Sequence, residues 1–428
     1  MFPHSIWKAG TYQLSQLLNV EDALERILAG LSRLPSETCL LEEALGRVLA
    51  ADVSADHALP PFANSSMDGY AVRGDDLAEA TAEQPVRLTV IGDISAGSAP
   101  SFTLQTGQAA RIMTGAMLPS GADAVIPVED TDADWRDGGA DSLAGQVAAR
   151  KSVRSGENVR PVGEDIQPGD HLLSAGTVIR PAALGVLAGL GISAVPVVRR
   201  PRVAIVSSGN ELLAVDQPLV PGKIRDVNSY TLAGLVTELG ATAWRIPPAQ
   251  DTVDSIRAAF QAAVDWQADL IVSSAGVSVG AVDLVRFVLQ AMGEIGFWRV
   301  NVRPGKPLAY GSVGSIPFFG LPGNPVSAMV TFDVFVRPAL LKMTGRNDQA
   351  DSISAVLAEP VTSDGRRSYL RVVLERDNGT VTARLTGTQS SGAISSMAKA
   401  DGLLIIPEGI THAPQGTIFT VRLLKPFA

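Results

Sequence analysis

Cysteine is nearly absent from this chain: Cys39 stands alone among 428 residues. That excludes an internal disulfide and a cysteine-built zinc cage, and it fits a reducing cytoplasm as the expected location. Histidine is scarce as well. His4, His57, His171 and His412 lie far apart, so no pair has the helical spacing of a zinc-protease site. Basic runs are missing from a chain of formal net charge −9, and a nucleic-acid partner, which needs clustered Lys and Arg against its phosphates, is not expected. The opening Met1–Gly10 lacks the basic start and apolar core of a secretory signal. Charge is also absent from Pro181 to Val198, but Gly185, Gly189, Gly191 and Pro196 interrupt the run. The expectation there is a short buried helix, a stop at Gly191 and a strand, with no membrane partner.

What remains is a well-packed composition, 46% hydrophobic and 18% charged, in a chain long enough for two to four domains. Val20–Gly30 places Ala23, Leu24, Ile27 and Leu28 on one helical face, and Leu40–Ala50 is expected to form a second helix. His57–Val72, with Pro60-Pro61 at its start and Asp68-Gly69 as a turn pair, reads as ordered loop running into a short strand. From about residue 85 to 160, β-like runs (Val86–Ile91, Gln108–Met113, Ala124–Val128) alternate with turn clusters, which predicts a small all-β unit with an exposed hairpin tip at Asp130–Asp141. The helix-forming sequence after it is similar in character to the opening section, so this β unit is expected as an insertion within a discontinuous first domain.

From Arg202 the period changes to alternating strands and helices. Val203–Val206 runs into Ser207-Ser-Gly-Asn-Glu211, Asn228 heads a helical pattern to Leu239, Ala243–Ile246 is strand-like, and Thr252–Trp266 is helical. Leu270–Asp283 then reads as strand, small-residue loop and helix start, with Ser273, Ser274, Gly276, Ser278 and Gly280 leaving little bulk between backbone amides and an anion. This predicts a parallel sheet covered on both faces, with ligands beyond the carboxyl ends of its strands. Phe297–Val302 and Leu308–Ser312 flank a two-cation turn, Arg303-Pro-Gly-Lys306. In Pro317–Ala328, Asn324 suits an N-cap and Pro325 the first helical position, while Gly323 lets an anion approach the free amides. After Arg346 the pattern is β again, with turns at Ser363–Gly365, Asp377–Gly379 and Pro407–Gly409.

Glu211, Asp251 and Asp283 would add carboxylates at the same sheet edge as the amides around Gly276 and Gly323, a set that suits a phosphorylated ligand carrying Mg²⁺. Each also has an ordinary structural explanation: Glu211 as a helix-start acid, Asp251 and Asp283 as N-caps, Lys306 as a solvated turn residue.

Six stretches carry a resemblance. Pro60-Pro-Phe-Ala-Asn-Ser-Ser-Met-Asp-Gly-Tyr-Ala-Val72, Arg111-Ile-Met-Thr-Gly-Ala116, Val162-Gly-Glu-Asp-Ile166, Ser274-Ala-Gly-Val-Ser-Val-Gly280, Arg303-Pro-Gly-Lys-Pro307 and Leu321-Pro-Gly-Asn-Pro-Val-Ser327 resemble, in order, the motif series of the molybdopterin molybdenumtransferases, the family of the gephyrin E domain. The match spans about residues 20 to 425. It implies an α/β protein with additional β domains: a discontinuous linker domain (1–54 and 161–200), an inserted β domain (55–160), a parallel α/β molybdopterin-binding domain (201–345) and a C-terminal β-barrel-like domain (346–428). It further implies a homodimer whose active site joins the α/β and C-terminal parts of one chain to the inserted domain of the other. The implied reaction takes adenylylated molybdopterin and molybdate, releases AMP and leaves molybdenum on the dithiolene, with Mg²⁺ assisting; the upstream adenylyltransferase is an implied partner.

Residue by residue, the resemblance puts Glu211, Asp251 and Asp283 at acidic metal or nucleotide positions, and Asp68, Thr114 and Asp165 among the contributions of the earlier domains. Arg299, Arg303 and Lys306 match basic positions for phosphate or molybdate. The motifs around Ser274, Gly276, Ser278 and Gly280, and from Pro322, Gly323, Asn324 and Pro325 to Ser327, match substrate loops, and Arg371 and Ser391 match functional positions of the last domain. The chain departs from the family pattern at Asn210, where Asp is usual, at Ala275, where Gly is usual, and at Arg299 and Arg303, where Lys is familiar. Asn lacks the negative charge, so weaker Mg²⁺ binding is expected. Two other functions fit parts of the pattern: an adenylyltransferase activating molybdopterin with ATP, which needs only the α/β module, and a non-catalytic molybdopterin-binding scaffold.

Overall fold

A computed structural model describes residues 17–133, 145–274, 282–346 and 351–427. Its centre is a six-stranded mixed sheet in the order 242–245, 202–207, 270–274, 316–321, 307–313, 293–299. The first four strands are parallel, and the last two turn antiparallel. The expectation of a wholly parallel sheet is therefore corrected. Ile316–Leu321 is a strand hidden behind its glycine and prolines, and the two-residue connection Gly314-Ser315 from Val313 to Ile316 is far too short for a parallel crossover, so that pair is a hairpin.

Both faces of the sheet are covered. One carries the helices Val253–Asp265 and Val282–Met292, packed through Ile256, Phe260, Val285 and Leu289. The other carries Asn228–Glu238, the helical run from Pro325 to Met343, and the helix Val20–Ala29, which inserts Ala23 and Ile27. Full burial of side chains such as Ile27, Phe332 and Phe335 contributes about 1.5–3 kcal/mol each. The run from Pro325 widens to a π turn at Phe332–Val336, just before Pro338, which has no N–H to donate to Val334. Capping explains the helix starts. Asn19 accepts from the Asp22 amide, Thr252 from the Ser255 amide and Asp226, rather than the expected Asn228, from the Ser229 amide.

Two β units flank this core. In the first, strands 124–127, 69–72, 108–112, 86–94 and 146–149 form one five-stranded sheet. Its strand 86–94 runs past the expected end at Ile91 and through Gly92. Most of the expected hairpin tip at 130–141 lies outside the described residues. The segments before and after this sheet pair with each other, Ser36–Leu40 antiparallel to Ala194–Val198, which makes the unit between them an insertion in a discontinuous linker. The helix expected at 40–50 is replaced by the end of that strand and a short 3-10 turn. Pairing with 194–198 satisfies the strand's amides, and a residue-by-residue helical pattern does not reveal such a distant partner. Pro181–Gly189 is helical as expected, but it is largely exposed, with Leu187 its one buried residue. No helix among the described residues is long and apolar enough to cross a membrane.

In the second unit, strands 367–377, 380–385, 352–357, 418–423 and 402–406 close on themselves as a five-stranded barrel. The two-residue strand Val302–Arg303 adds in parallel to Arg367–Ser368, tying the barrel to the antiparallel edge of the central sheet. A helix at Ile394–Lys399, not anticipated from the β-like pattern, packs against that junction through Met397.

Candidate active site

Strand Arg202–Ser207 is buried along nearly its whole length and delivers Ser208 and Gly209 to the carboxyl edge of the sheet. Gly209 has φ +154°, and a Cβ there would stand 2.5 Å from the Glu211 carboxylate, so only glycine lets that acid fold back over the strand end. The next connection is clasped to it. Gly209 N–H donates to the Ala249 carbonyl at 3.1 Å, Asn210 N–H to the Asp251 carboxylate at 3.2 Å, and Asp251 N–H back to Asn210 Oδ1 at 3.1 Å. Asp251 is thus not the cap of the following helix, a role Thr252 takes, and Glu211 heads no helix. Asn210 spends its acceptor oxygen on the backbone of Asp251.

Strand Leu270–Ser274 ends beside the first, with Ser274 buried. Gly276, Ser278 and Gly280 lie outside the described residues, as does the side chain of Asp283 in the first turn of the helix Val282–Met292. Strand Ile316–Leu321 leads to Pro322, Gly323 and Asn324, and Pro325 starts the helix as expected. Asn324 caps nothing with its side chain. Its Nδ2 instead donates to Ser391 Oγ at 3.0 Å, and Val326 N–H donates to the Ser391 carbonyl at 3.1 Å. The amides after Gly323 are therefore not all free, because the barrel loop already takes one.

These strand ends surround a cleft of about 730 Å³ into which Glu211, Asp251, Ser274 and Pro322–Pro325 converge, a volume suited to a small-molecule ligand. Ser327 sits one turn deeper and is buried. The cation turn borders the same region. Gly305 has φ +123°, and a Cβ there would come within 2.3 Å of Thr331 Cγ2, so the turn lies directly against the helix that leaves the cleft, and Pro307 lines the cleft itself. Arg303 and Lys306 are exposed at this rim, Arg303 lying 4.0 Å from Asp364 of the barrel, and Arg299 is exposed on the edge strand. Arg366 beside Asp364 holds that carboxyl below the usual carboxylate range.

Arg371 is 1% exposed and has no carboxylate partner among the described residues. Its guanidinium donates to Ser396 Oγ at 3.0 Å and to the carbonyls of Thr388 and Ser390 at 3.2 and 3.0 Å. Burial lowers its pKa, yet a guanidinium stays charged at any working pH. A buried cation thus holds the loop whose next residue, Ser391, meets the cleft turn.

Asp68, Thr114 and Asp165 do not line this cleft. All three are exposed, Asp165 in the linker segment after the inserted β unit and the other two on that unit, where Asp68 Oδ1 accepts from Thr114 N–H and Oγ1, both at 2.7 Å. The Thr114 amide, then its hydroxyl, keeps the Asp68 carboxyl below its ordinary range.

A further wall went unread in the sequence. Ser208, Leu219, Lys223, Arg225 and Asn228 also line the cleft, most of them from a flap between Glu211 and Asn228. Lys223 Nζ donates to the Asn210 carbonyl, and Asn228 Nδ2 to the Gly323 carbonyl at 2.7 Å. The Pro221-Gly222 turn with cations at Lys223 and Arg225, just beyond the Ser-Gly-Asn-Glu loop, is the signal that marks it.

The fold and the cleft define a multi-domain α/β protein with carboxylates, a glycine-bearing turn and a buried arginine gathered around the carboxyl ends of its parallel strands. Comparisons give the family. Residues 18–191 match the MoeA N-terminal region (domain I and II), 204–342 a probable molybdopterin binding domain, and 354–424 the MoeA C-terminal region (domain IV). Molybdopterin molybdenumtransferase 2 of Mycobacterium tuberculosis is 42% identical over 389 residues, covering 89% of this chain and 93% of that one. Molybdopterin molybdenumtransferase of Bacillus subtilis is 35% identical over 411 residues, covering 95% and 94%. The crystal structure of a molybdopterin biosynthesis moea protein from Pyrococcus horikosii superposes with a TM-score of 0.81 at 35% identity, covering 96% of this chain and 100% of that one. The chain belongs to the molybdopterin molybdenumtransferase family of enzymes.

Proposed function

We propose that this protein inserts molybdenum from molybdate into adenylylated molybdopterin and releases AMP. The observation that carries this reading is the convergence of Glu211 and Asp251 with the Pro322–Pro325 turn in one cleft, beside the Arg303–Lys306 rim and the loop held by Arg371. Molybdate and the phosphoanhydride are both anions, so their encounter requires positive charge and oriented amides from the protein. On this reading the cationic turn receives the oxyanion, the Gly323 turn the phosphates, and Arg371 positions Ser391 against both.

The donor set fits Mg²⁺. Glu211 and Asp251 offer hard oxygens at one cleft wall, and although no group of three or more acidic, His or Cys side chains gathers among the described residues, Mg²⁺ commonly uses one or two carboxylates and completes its shell with water and substrate phosphate. When bound there, the ion would offset phosphate charge and favour departure of AMP. In the homodimer that this reading includes, Asp68, Thr114 and Asp165 of a second subunit would close the site from outside, which fits their exposure and the pre-ordered Asp68–Thr114 pair.

The test is direct. Purified protein is given adenylylated molybdopterin and Mg²⁺, with and without molybdate, and AMP is quantified. Molybdate-dependent AMP release is expected, whereas ATP consumption with free molybdopterin, or no AMP at all, would overturn the reading in favour of an adenylyltransferase or a scaffold.

A further inference from the structure

The flap from Leu212 to Val227 exposes more aliphatic surface than its surroundings explain. Val215, Leu219, Val220, Ile224 and Val227 are 54%, 59%, 48%, 57% and 37% exposed within thirteen positions of one another. Scattered exposed apolar residues are ordinary, but a contiguous set on one segment marks a surface that something covers. The segment is firmly built. Leu212–Leu213 pairs in parallel with Ile224–Arg225, Ile224 N–H donates to the Glu211 carbonyl at 2.8 Å, and the Arg225 guanidinium ties back the carbonyls of Val215 and Gln217 at 2.9 and 3.2 Å. A hydrogen-bonded flap cannot fold its aliphatic side chains away.

Three of these residues, Leu219, Ile224 and Val227, line the cleft itself. At the foot of the same wall stands Asn228, 8% exposed, with Nδ2 committed to Gly323 and Oδ1 accepting no hydrogen bond. A buried amide oxygen without a donor is unusual enough to call for a partner. Apolar contact on a face and an acceptor at an edge are what a flat nitrogen heterocycle bearing N–H groups requires.

We infer that Leu219, Ile224 and Val227 form the wall on which a fused N–H-bearing heterocycle of the substrate rests, with Asn228 Oδ1 receiving one of its N–H groups. This deepens the proposed function and rests on it, because adenylylated molybdopterin carries two such rings, the adenine and the pterin. The subsite accounts for the heterocycle end of the ligand, leaving the phosphates to the Gly323 turn and the rim cations.

The experiment compares wild-type protein with Leu219→Ser, Ile224→Ser and the double variant, titrated calorimetrically with AMP, ribose 5-phosphate and pterin-6-carboxylate. Both positions are more than half exposed, so folding should be unaffected, and ribose 5-phosphate reports on the phosphate site alone. The expected result is a Kd for AMP at least ten-fold weaker in the double variant, with ribose 5-phosphate unchanged. A loss confined to pterin-6-carboxylate supports the wall and assigns it to the pterin ring. Unchanged binding of both heterocycles, equal weakening of ribose 5-phosphate, or no heterocycle binding by the wild type overturns the inference. Molybdate-dependent AMP release by the wild type is scored separately, so failure of the reaction with heterocycle binding intact would refute the proposed chemistry and leave the subsite standing.

Discussion

The two halves of the central sheet divide the work of the site. The parallel half, strands 242–245, 202–207, 270–274 and 316–321, ends in the Glu211, Asp251 and Gly323 loops, which supply acids and amides. The antiparallel half, strands 307–313 and 293–299, carries Arg299, Arg303 and Lys306 and hands the chain to the barrel through Val302–Arg303. The rim cations therefore stand on separate elements from these acids, while Lys223 and Arg225 reach the cleft from the flap after Glu211. Within the cleft wall the Glu211 carboxylate has no hydrogen-bond partner among the described residues and Asp251 accepts only from the Asn210 amide, whereas the barrel's acid Asp364 is tied down by Arg366 at 2.9 Å. A chain can present both signs to one ligand only if neither is neutralised by the other beforehand.

The division breaks most severely on the cation side. Arg371→Leu removes a buried guanidinium and strands the carbonyls it serves. AMP release should fall by about 10²- to 10³-fold, and calorimetric unfolding should show a loss of about 1–3 kcal/mol. Activity retained at near wild-type levels would make Arg371 irrelevant to the site. On the acid side, Glu211→Gln should lower AMP release by about ten-fold or more while the melting temperature stays put, since the carboxylate is exposed and bonded to nothing described. A matching loss of stability would assign Glu211 to the fold instead.

Between the halves, Asn324→Ala deletes one hydrogen bond to the barrel loop. About 0.5–1.5 kcal/mol of coupling should appear as a several-fold drop in activity, recoverable as non-additivity with Ser391→Ala in a double-mutant cycle. Asn210→Asp sharpens the contrast in the other direction. It keeps an acceptor for the Asp251 amide and adds charge to the acid side, so Mg²⁺ should bind more tightly by calorimetry, and equal affinities would refute the expectation. The smallest effect is a titration. Because Arg366 depresses the Asp364 carboxyl, the stability from that pair is present above the carboxylate's unfolded pKa of 3.8 and disappears as pH falls through its lower folded value. Carbon-13 NMR should find the Asp364 midpoint below 3.8 and moved upward in Arg366→Ala.

In the parallel half, strands 202–207 and 270–274 were legible in the sequence because each is a buried apolar run followed by a turn cluster. Ser207–Glu211 and Thr252–Trp266 fell where that grammar puts them. The antiparallel half was only partly legible. Phe297–Val302 and Leu308–Ser312 read as strands, but their direction depends on pairing with Ile316–Leu321, which its Pro317, Gly320 and Pro322 disguised as loop. The β units read correctly in outline, including the Asp377–Gly379 turn, where Asn378 and Gly379 take positive φ. Closure of the barrel is a long-range fact that no local pattern encodes. The acids at Glu211 and Asp251 were found by their position after strands, but the flap of Leu219, Lys223 and Arg225 was not, because it is an irregular insertion whose residues acquire meaning only once the chain folds them over the cleft. Capping by Asp226 instead of Asn228 is a nearer miss: both are favoured cap residues, and the freed Asn228 was needed to hold Gly323.

A crystal structure with AMP and Mn²⁺ in place of Mg²⁺ would test the shared cleft most directly. An anomalous peak is expected beside Glu211 and Asp251, with the nucleotide phosphate at the Pro322–Asn324 turn on its cation-facing side. Metal or nucleotide bound on a surface away from those residues would contradict it.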